Sequence, residues 1–442
     1  MSNDRLDIWD AKHNLSYNEP LSSNSDLFVD IAPARGEFKL KRLYRQLHID
    51  NNDELRQPPR KDYTLFTGHR GCGKSTELLR VSDYLHNPSR YFVIHLDCLE
   101  RLDINNLKYS DVLLALATRL LETLQEVHGI HIDDIHLYHL EQWFAERVET
   151  HADIRNFSAE IKAGVKAEVG LPWVAKIFAE LTNKINIGAS YRNELRQVLK
   201  NNFSEFASAF NSLIIAAEEQ IQNQNLGKRI LFTVDGTDRL NSEDAHEFFI
   251  DDVHQLTQIS GIFIYCAPIH LLHEDNQLNA NFATIFRVPM LKIRDRDDNP
   301  IPENINIVRE MVERRVPSYL FDTNATVDHI IKYSGGHARD LLRLLNLSIT
   351  FSEEDVITLD AADSAIKQIA NDYRRTIEAD EYEHLVKIDL NPETPEAFTN
   401  EDSTKMLYNL VLLEYNDYFW KSHPVIQTLP GYQKALDTAR NP

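Results

Sequence analysis

Short apolar runs alternate with longer amphipathic segments over the first two thirds of the chain. The runs are rich in β-branched and aromatic residues with little polar alternation, which is typical of strands buried on both faces of a sheet. Apolar residues recur at helical spacing between them, and residues 191–221 predict one helix of about eight turns. This rhythm predicts an α/β fold, a parallel sheet with helices on both faces. The expected strands cover residues 63–67, 91–97, 229–235, 261–268 and 286–291.

The same pattern divides the chain into regions. Residues 1–26 are polar and predict a flexible lead-in. Residues 27–291 predict the α/β core, which a polar helical insertion of open role interrupts at about 128–190. Residues 292–355 predict a helical lid. Residues 356–442 predict helices followed by two short strands about an Asn-Asp turn, an order that indicates a winged-helix-like domain.

Composition limits the class of protein. With 43% apolar residues, the 442-residue chain has room for about three domains and a sizeable core. A polar N-terminus and the lack of an apolar run of about 18 residues favour a cytoplasmic protein without a membrane span. Three widely spaced cysteines form neither a disulfide framework nor a zinc motif, which fits a reducing compartment. The net charge of −21 disfavours general binding to nucleic acid but leaves a local basic patch open.

Residues 68–75 fit the pattern G-x-x-x-x-G-K-[ST] between a predicted strand and a helical segment. The glycines let successive backbone N–H groups surround phosphate oxygens. Lys74 offers a positive charge for the β- and γ-phosphates, and the Ser75 hydroxyl is suited to Mg²⁺. We interpret Cys72 as a small filler of the loop and not as a redox group. The expected nucleotide-binding residues of the loop are Gly68, His69, Arg70, Gly71, Cys72, Gly73, Lys74, Ser75 and Thr76.

Two carboxylates follow the third predicted strand. Asp235 ends that strand, where a carboxylate would help Ser75 to hold Mg²⁺. Hydrolysis also needs a carboxylate that orients the attacking water, and Asp238 is the nearest candidate. The alternative is that Asp238 only pairs with Arg239. The expected catalytic residues are therefore Asp238, Asp235 and Lys74, and the expected metal ligands are Ser75 and Asp235.

A third motif lies in the predicted lid. Gly335 and Gly336 end one helix, and Arg339 falls in the first turn of the next. An arginine at this place can reach a γ-phosphate from the lid side, which makes Arg339 a nucleotide-binding candidate. The alternative is an arginine on the surface of a helix.

The order of these motifs resembles the AAA+ and STAND groups of P-loop ATPases, over about residues 60–425. The resemblance implies ATP with Mg²⁺ as cofactors and a sheet ordered 5-1-4-3-2. It implies a segment before the core that closes over adenine, here at Phe28, Val29 or Ile31. It also implies a homo-oligomer in which one subunit offers an arginine to its neighbour's site. The sequence does not choose among Arg287, Arg294, Arg296, Arg314 and Arg315.

Two details of the motifs favour different functions. The Asp-Gly-x-Asp run at 235–238 is similar to STAND signalling ATPases, and Gly236 stands where many AAA+ ATPases carry a catalytic glutamate, which implies slow hydrolysis. Our first interpretation is an oligomerising ATPase switch that controls a separate effector protein, as in bacterial stress or antiphage defence. The lid motif is similar to initiator and loader ATPases, so a DNA-binding loader is the alternative, disfavoured by the acidic charge. A scaffold that binds ATP without hydrolysing it is the third.

Overall fold

The structure is a computed structural model that describes residues 5–130, 132, 134–143, 146–147, 189–274, 278–392, 401–415 and 419–441. Its centre is a parallel sheet of five strands in the order β2-β3-β4-β1-β5. Read from the other edge, this is the 5-1-4-3-2 order that the resemblance implied. The strands are β1 (Asp62–Gly68), β2 (Tyr91–Asp97), β3 (Arg229–Asp235), β4 (Ile262–Pro268) and β5 (Thr284–Arg287).

Both faces of the sheet are buried. Along β1, Leu65 belongs to one apolar cluster with Phe232 of β3, whereas its neighbour Phe66 belongs to a second cluster with Leu231. Side chains alternate between the faces of a strand, so a sheet covered on both sides needs apolar residues at successive positions. This explains why the strand sequences show little polar alternation.

Helices supply the cover on each side. The helices Tyr109–Glu122 and Phe203–Asn223 pack in the first cluster, and the helices Leu40–Gln46 and Lys74–Leu85 pack in the second. The helices that precede the lid are α1 (Ile8–His13), α2 (Leu40–Gln46), α3 (Lys74–Leu85), α4 (Cys98–Arg101), α5 (Tyr109–Glu122), α6 (Asp134–Trp143), α7 (Ala189–Asn201), α8 (Phe203–Asn223), α9 (Ser242–His246), α10 (Val253–Leu256), α11 (Leu271–Glu274) and α12 (Leu278–Asn281).

A third apolar cluster joins the lid to the C-terminal region, so the two share one core. Two strands of the C-terminal region, Leu412–Tyr415 and Phe419–Ser422, form an antiparallel hairpin at the predicted place. The turn between them lies outside the described residues. The fold class is confirmed as an α/β core followed by a helical C-terminal region; the winged-helix-like assignment stays a prediction. The elements are α13 (Pro302–Glu313), α14 (Asn324–Tyr333), α15 (Ala338–Phe351), α16 (Leu359–Arg374), α17 (Glu381–Leu390), α18 (Glu401–Tyr408), β6 (Leu412–Tyr415), β7 (Phe419–Ser422) and α19 (Pro430–Arg440).

The N-terminal segment differs from the expected flexible lead-in. Helix α1 begins with a capping box between Asp7 and Asp10. Its residues Ile8 and Ala11 are buried in the cluster of the lid. The sequence pattern missed this helix because so short an element needs only a few apolar positions, and its stability comes from packing against distant residues.

Two further elements differ from their predicted bounds. The long helix expected over residues 191–221 is two helices, α7 and α8, separated at Asn202, whose φ and ψ are −124° and 31°. Strand β5 ends at Arg287 instead of continuing to residue 291. Pro289 follows, and it has no N–H to donate to the ladder.

The predicted insertion at about 128–190 lies largely outside the described residues. Helix α6 and the start of α7 are the helices described within it. Among the ranges that the structure describes, no helix combines the length and the apolar character needed to cross a membrane.

Candidate nucleotide-binding site

The phosphate loop connects β1 to α3 at the carboxyl end of the sheet. Gly71 and Gly73 have φ values of +88° and +99°, in the left-handed region that strains other residues. A Cβ atom on Gly71 would also lie 2.7 Å from Nε2 of His337 in the lid. The loop therefore needs glycine for its own conformation at both positions, and at Gly71 also for the close approach of the lid.

Lys74 is the buried cation of the loop. Its Nζ donates to the carbonyl oxygens of Gly68 at 2.7 Å and His69 at 2.9 Å. It also lies 2.8 Å from Oδ2 of Asp238. Burial by itself would lower the pKa of Lys74, but the Asp238 carboxylate raises it above its ordinary value. The lysine is therefore charged and oriented.

Asp235 and Ser75 come together as the sequence predicted. Asp235 ends β3, both residues line the cleft, and the Asp235 carboxylate accepts a hydrogen bond from the Gly236 N–H at 2.8 Å. Burial and the nearby Asp238 carboxylate raise the pKa of Asp235. A buried carboxylate beside a hydroxyl supplies the hard oxygen ligands that Mg²⁺ prefers, and a cation there would offset the negative charge. These two residues fit the metal that the phosphate loop implies.

Asp238 lies in the 3-10 turn after β3, next to Lys74. Burial would raise its pKa, yet Lys74, Arg239 and Arg70 hold it below the ordinary value for aspartate. The carboxylate is therefore ionised, as a general base that takes a proton from water must be. Asp238 also lines the cleft. A local pair with Arg239, the simpler alternative, would not have required this position.

Three arginines surround this carboxylate. Arg70, Arg239 and Arg339 all line the cleft beside Lys74. Burial, together with the positive charges of Arg239 and Arg70, lowers the pKa of Arg339. Like charges this close are unfavourable unless an anion joins them, so the arrangement suits a polyphosphate.

Some of the predicted binding residues turn away from the cleft. His69 is buried, and its Nε2 accepts a hydrogen bond from the backbone N–H of Glu414 in β6 at 2.7 Å. The Cys72 thiol lies 3.6 Å from the carbonyl oxygen of Val288, which fits its interpretation as a filler. Gly68 contributes its carbonyl to Lys74. Arg70, Gly71, Gly73, Lys74, Ser75 and Thr76 line the cleft directly.

The N-terminal segment forms the opposite side of the cleft. Phe28, Val29 and Ile31 line it, together with Tyr17 from the segment expected to be a lead-in. The backbone N–H of Leu21 donates to the Thr76 hydroxyl at 3.3 Å, which ties this segment to the phosphate loop. The placement suits the role expected for residues 28–31 over a nucleotide base, and that role stays a prediction.

Arg35 is a functional residue that the sequence analysis missed. It is fully buried, and its guanidinium donates to the carbonyl oxygens of Cys72, at 2.7 Å, and of Pro289. Its Nε lies 3.7 Å from Glu77 of α3. The arginine thus supports the phosphate loop through the Cys72 carbonyl, and it also lines the cleft. A lone arginine between alanine and glycine gave no sequence signal for this contact across 37 residues.

The candidate arginines for a neighbouring subunit differ in their placement. Arg315 is buried, lines the cleft of its own chain and donates to the Met311 carbonyl at 2.9 Å. Burial and Arg314 lower its pKa to about 10. Arg315 is therefore unsuited to reach another subunit. Arg287 and Arg314 are more exposed, at 38% and 45% of their side-chain surface.

The comparisons with known proteins are distant. No protein-family model and no curated protein matches the chain. Among solved structures, Cdc6p from Pyrobaculum aerophilum aligns with a TM-score of 0.38 and 10% identity, over 95% of this chain and 100% of that one. RuvB from Thermotoga maritima, a Holliday junction branch migration motor, gives 0.32 and 10%, over 89% and 95%. At these scores the likeness does not bear on function.

The strand order and the site identify the fold without that likeness. The phosphate loop follows β1, which lies between β4 and β5, and Asp235 ends β3 on the other side of β4. A helical lid meets the loop through Arg339, whose backbone N–H donates to the Gly71 carbonyl at 3.1 Å. The chain therefore has the sheet order and the phosphate loop of an α/β P-loop fold.

Proposed function

We propose that the protein is a switch of STAND-like character that binds and hydrolyses Mg²⁺-ATP, forms a homo-oligomer and controls a separate partner protein. One observation carries the ATPase proposal. Lys74 and Asp238 form a buried pair, 2.8 Å apart, beside Ser75 and Asp235 in a cleft that Arg70, Arg239 and Arg339 also line. Cation, metal ligands and carboxylate thus lie in one place, as phosphoryl transfer to water requires.

Each group has a distinct role in this proposal. Lys74 and Arg339 bind the phosphates, and Ser75 and Asp235 hold Mg²⁺, which offsets the charge that develops on the phosphate oxygens. Asp238 orients the attacking water. Because Lys74 is paired with Oδ2 of Asp238, a γ-phosphate that binds Lys74 takes the place of that carboxylate, which leaves both oxygens of Asp238 available to water. This exchange favours slow hydrolysis, which suits a switch.

Isothermal titration calorimetry with Mg²⁺-ATP, followed by phosphate release at saturating ATP, tests the proposal. We expect binding and slow turnover for the wild type. Arg339→Ala should weaken ATP binding about tenfold or more, since a hydrogen bond to a charged group contributes about 1.5–3 kcal/mol. Arg309→Ala is a control elsewhere in the lid, because Arg309 binds Asp328 instead of lining the cleft. Absence of binding would refute the ATPase, and binding without phosphate release would indicate a nucleotide-dependent scaffold.

The homo-oligomer and the arginine of the neighbouring subunit need a separate experiment. Mass photometry with and without a non-hydrolysable ATP analogue should show larger particles with the analogue. Alanine is substituted singly for Arg287, Arg294, Arg296 and Arg314. One of the four variants should show lower turnover, and its ATP affinity should be unchanged. A monomer with full turnover would contradict this part of the proposal.

The effector is proposed as a separate chain, in the manner of bacterial stress and antiphage systems. The acidic surface expected from a net charge of −21 suits a protein partner better than a nucleic-acid backbone. Co-purification of the tagged protein with the products of neighbouring genes, with and without the ATP analogue, tests it. A partner retained only with the analogue would support the switch.

The alternative, a DNA-binding loader, requires an accessible C-terminal region. The described residues of β6 and β7 are nearly all buried, and β6 binds the phosphate loop through Glu414 and His69. This placement favours a docking role for the hairpin over contact with a duplex. A retardation assay over a range of salt concentrations decides the matter, since ATP-dependent DNA binding with a steep salt dependence would favour the loader.

A further inference from the structure

Three consecutive residues of the phosphate loop are held from the lid and the C-terminal region. The side chain of His69 accepts from the Glu414 N–H at 2.7 Å. The carbonyl oxygen of Arg70 lies 2.8 Å from Nε2 of His337, and the carbonyl oxygen of Gly71 accepts from the Arg339 N–H. Of these contacts, only that of His337 joins a lid side chain to the backbone of the loop. The loop conformation therefore depends on where that side chain lies.

The donor in the His337 contact is defined by chemistry. A carbonyl oxygen can only accept a hydrogen bond, so Nε2 of His337 carries the proton and donates it to Arg70. The other ring nitrogen, Nδ1, lies 3.2 Å from Oδ2 of Asp340, one turn along α15. Nδ1 makes no hydrogen bond to any residue that the structure describes, so the ring is held by the Arg70 carbonyl and by its close contact with the Asp340 side chain.

Asp340 is the centre of a buried network, with only 1% of its surface exposed. The Tyr373 hydroxyl of α16 donates to Oδ2 at 2.6 Å, and Nε2 of His423, just after β7, lies 3.2 Å from the same oxygen. Arg343 donates to Oδ1 at 2.8 Å. Burial would raise the pKa of Asp340, yet His337 and His423 hold it well below the ordinary value. The carboxylate therefore joins the lid to the C-terminal region.

Close backbone packing supports the same connection. A Cβ atom on Gly335 would lie 2.7 Å from Cδ of Pro424, the residue after His423. The Tyr415 hydroxyl donates to the Gly335 carbonyl at 2.5 Å. The segment that precedes His337 is therefore fitted against the C-terminal hairpin.

We propose that His337 is a positioning residue that transmits the docking of the C-terminal region, through Asp340, to the carbonyl of Arg70 in the phosphate loop. The inference deepens the proposed function and rests on it. Undocking of His423 and Tyr373 moves Asp340 and His337 and lowers the affinity of the loop for ATP. A partner protein that binds the C-terminal region has a direct route to the nucleotide site.

A metal ion at this cluster is the competing explanation. Ligand atoms of His337, Asp340 and His423 lie within 4.8 Å of one another. The hydrogen bonds disfavour a metal, because Asp340 is already bound by Tyr373 and Arg343. In addition, Nδ1 of His423 accepts from the Val425 N–H at 3.4 Å, which leaves the proton of that ring on Nε2, facing Asp340. We therefore assign the cluster to the hydrogen bonds of Asp340 with Tyr373 and Arg343 and to the close contacts of its carboxylate with His337 and His423.

Substitutions at residue 337 test the contributions of the two ring nitrogens, Nε2 and Nδ1, separately. His337→Gln places an amide N–H near the position of Nε2 and can still donate to Arg70. His337→Asn can replace only Nδ1. By calorimetry with Mg²⁺-ATP we expect the Gln variant to bind within about threefold of wild type, and the Asn and Ala variants about tenfold or more weakly. A structural role alone would not separate Gln from Asn in this way.

A milder variant keeps the proposal testable if the substitutions at residue 337 prevent folding. Tyr373→Phe removes one hydroxyl from Asp340 and touches no loop residue, and it should weaken ATP binding about threefold or more. The matched control is His329→Ala, which breaks a histidine–aspartate pair of 2.7 Å between α14 and α16 that includes neither Asp340 nor a loop residue, and it should leave ATP affinity unchanged.

The outcomes are distinct. The positioning role would be overturned if His337→Gln bound ATP as weakly as His337→Ala, or if His337→Asn bound it as tightly as wild type. It would also be overturned if Tyr373→Phe left ATP affinity unchanged. A stoichiometric zinc ion found by elemental analysis of the wild type and lost in His423→Ala would overturn it in favour of a metal site. If the wild type binds no ATP, the proposed function itself fails, which is a different result.

Discussion

Asp238→Asn tests the buried pair at the centre of the site. Lys74 is held by three oxygens, two carbonyls and Oδ2 of Asp238, with 3% of its side chain exposed. Asparagine keeps the shape and one oxygen at that place but removes the negative charge. The substitution therefore leaves a buried ammonium group without its counter-charge.

The expected size of the effect follows from that loss. Removing one partner of a buried ion pair costs about 3–5 kcal/mol when nothing replaces it. Here two carbonyls and the amide oxygen remain, so we expect a loss nearer to that of one charged hydrogen bond, about 1–3 kcal/mol, in the protein without nucleotide. Turnover should fall about 10²–10⁴-fold, the usual contribution of general acid–base catalysis.

Bound nucleotide should stabilise the Asp238→Asn variant more than it stabilises the wild type. In the wild type, a γ-phosphate must displace Asp238 from Lys74, whereas in Asp238→Asn the lysine is already without its anion. The variant should therefore retain ATP binding and gain more thermal stability from Mg²⁺ and a non-hydrolysable analogue than wild type does. Thermal unfolding with and without the analogue, together with phosphate release, measures both effects.

The control is Asp244→Asn. Asp244 lies 2.9 Å from Lys108 in a lysine–aspartate pair that does not line the cleft. It should alter neither turnover nor the stabilisation by the analogue. Unchanged turnover in Asp238→Asn would refute its assignment as the water-orienting carboxylate, and an equal gain from the analogue in wild type and variant would refute the exchange of partners at Lys74.

Three further changes give separate expectations. Lys74→Ala should abolish the calorimetric heat of ATP binding, and retained binding would contradict the role of the loop. Arg35→Ala should lower the free energy of unfolding by about 3–5 kcal/mol because it leaves Glu77 and two carbonyls without their buried partner, and Arg35→Lys should restore only part of it in urea titrations. Burial lowers the pKa of His69 to about 3, against about 6.5 when unfolded, so the unfolded state binds the extra proton below pH 6.5. Wild type should therefore lose about 2 kcal/mol relative to His69→Gln between pH 6.5 and 4.5; equal losses would show that His69 is not buried neutral.

The parts of the site that were predicted share a local origin. Glycines, Lys74 and Ser75 lie within one turn between a strand and a helix, so their spacing nearly defines their geometry. Asp235 could be placed because the carboxyl ends of parallel strands meet at one edge of the sheet. Arg339 could be placed because two glycines mark the start of its helix.

The missed contacts join residues far apart in the chain. Arg35 supports Cys72, and helix α1 packs against the lid. Asp340 binds Tyr373 and His423. A single sequence contains no periodic signal for such pairs, since each residue alone also fits an ordinary surface position.

The sequence by itself determined the succession of strands in the core, the phosphate loop and the residues proposed to bind phosphate and Mg²⁺, because these follow from backbone preferences and side-chain chemistry over short spans. Only the tertiary structure decided that Lys74 pairs with Asp238, that His69 faces the C-terminal hairpin, and that Arg315 lies in the cleft of its own chain. The reason is physical: the direction of a side chain on a loop or at a helix end depends on what packs against it, and here the lid and the C-terminal region supply that packing.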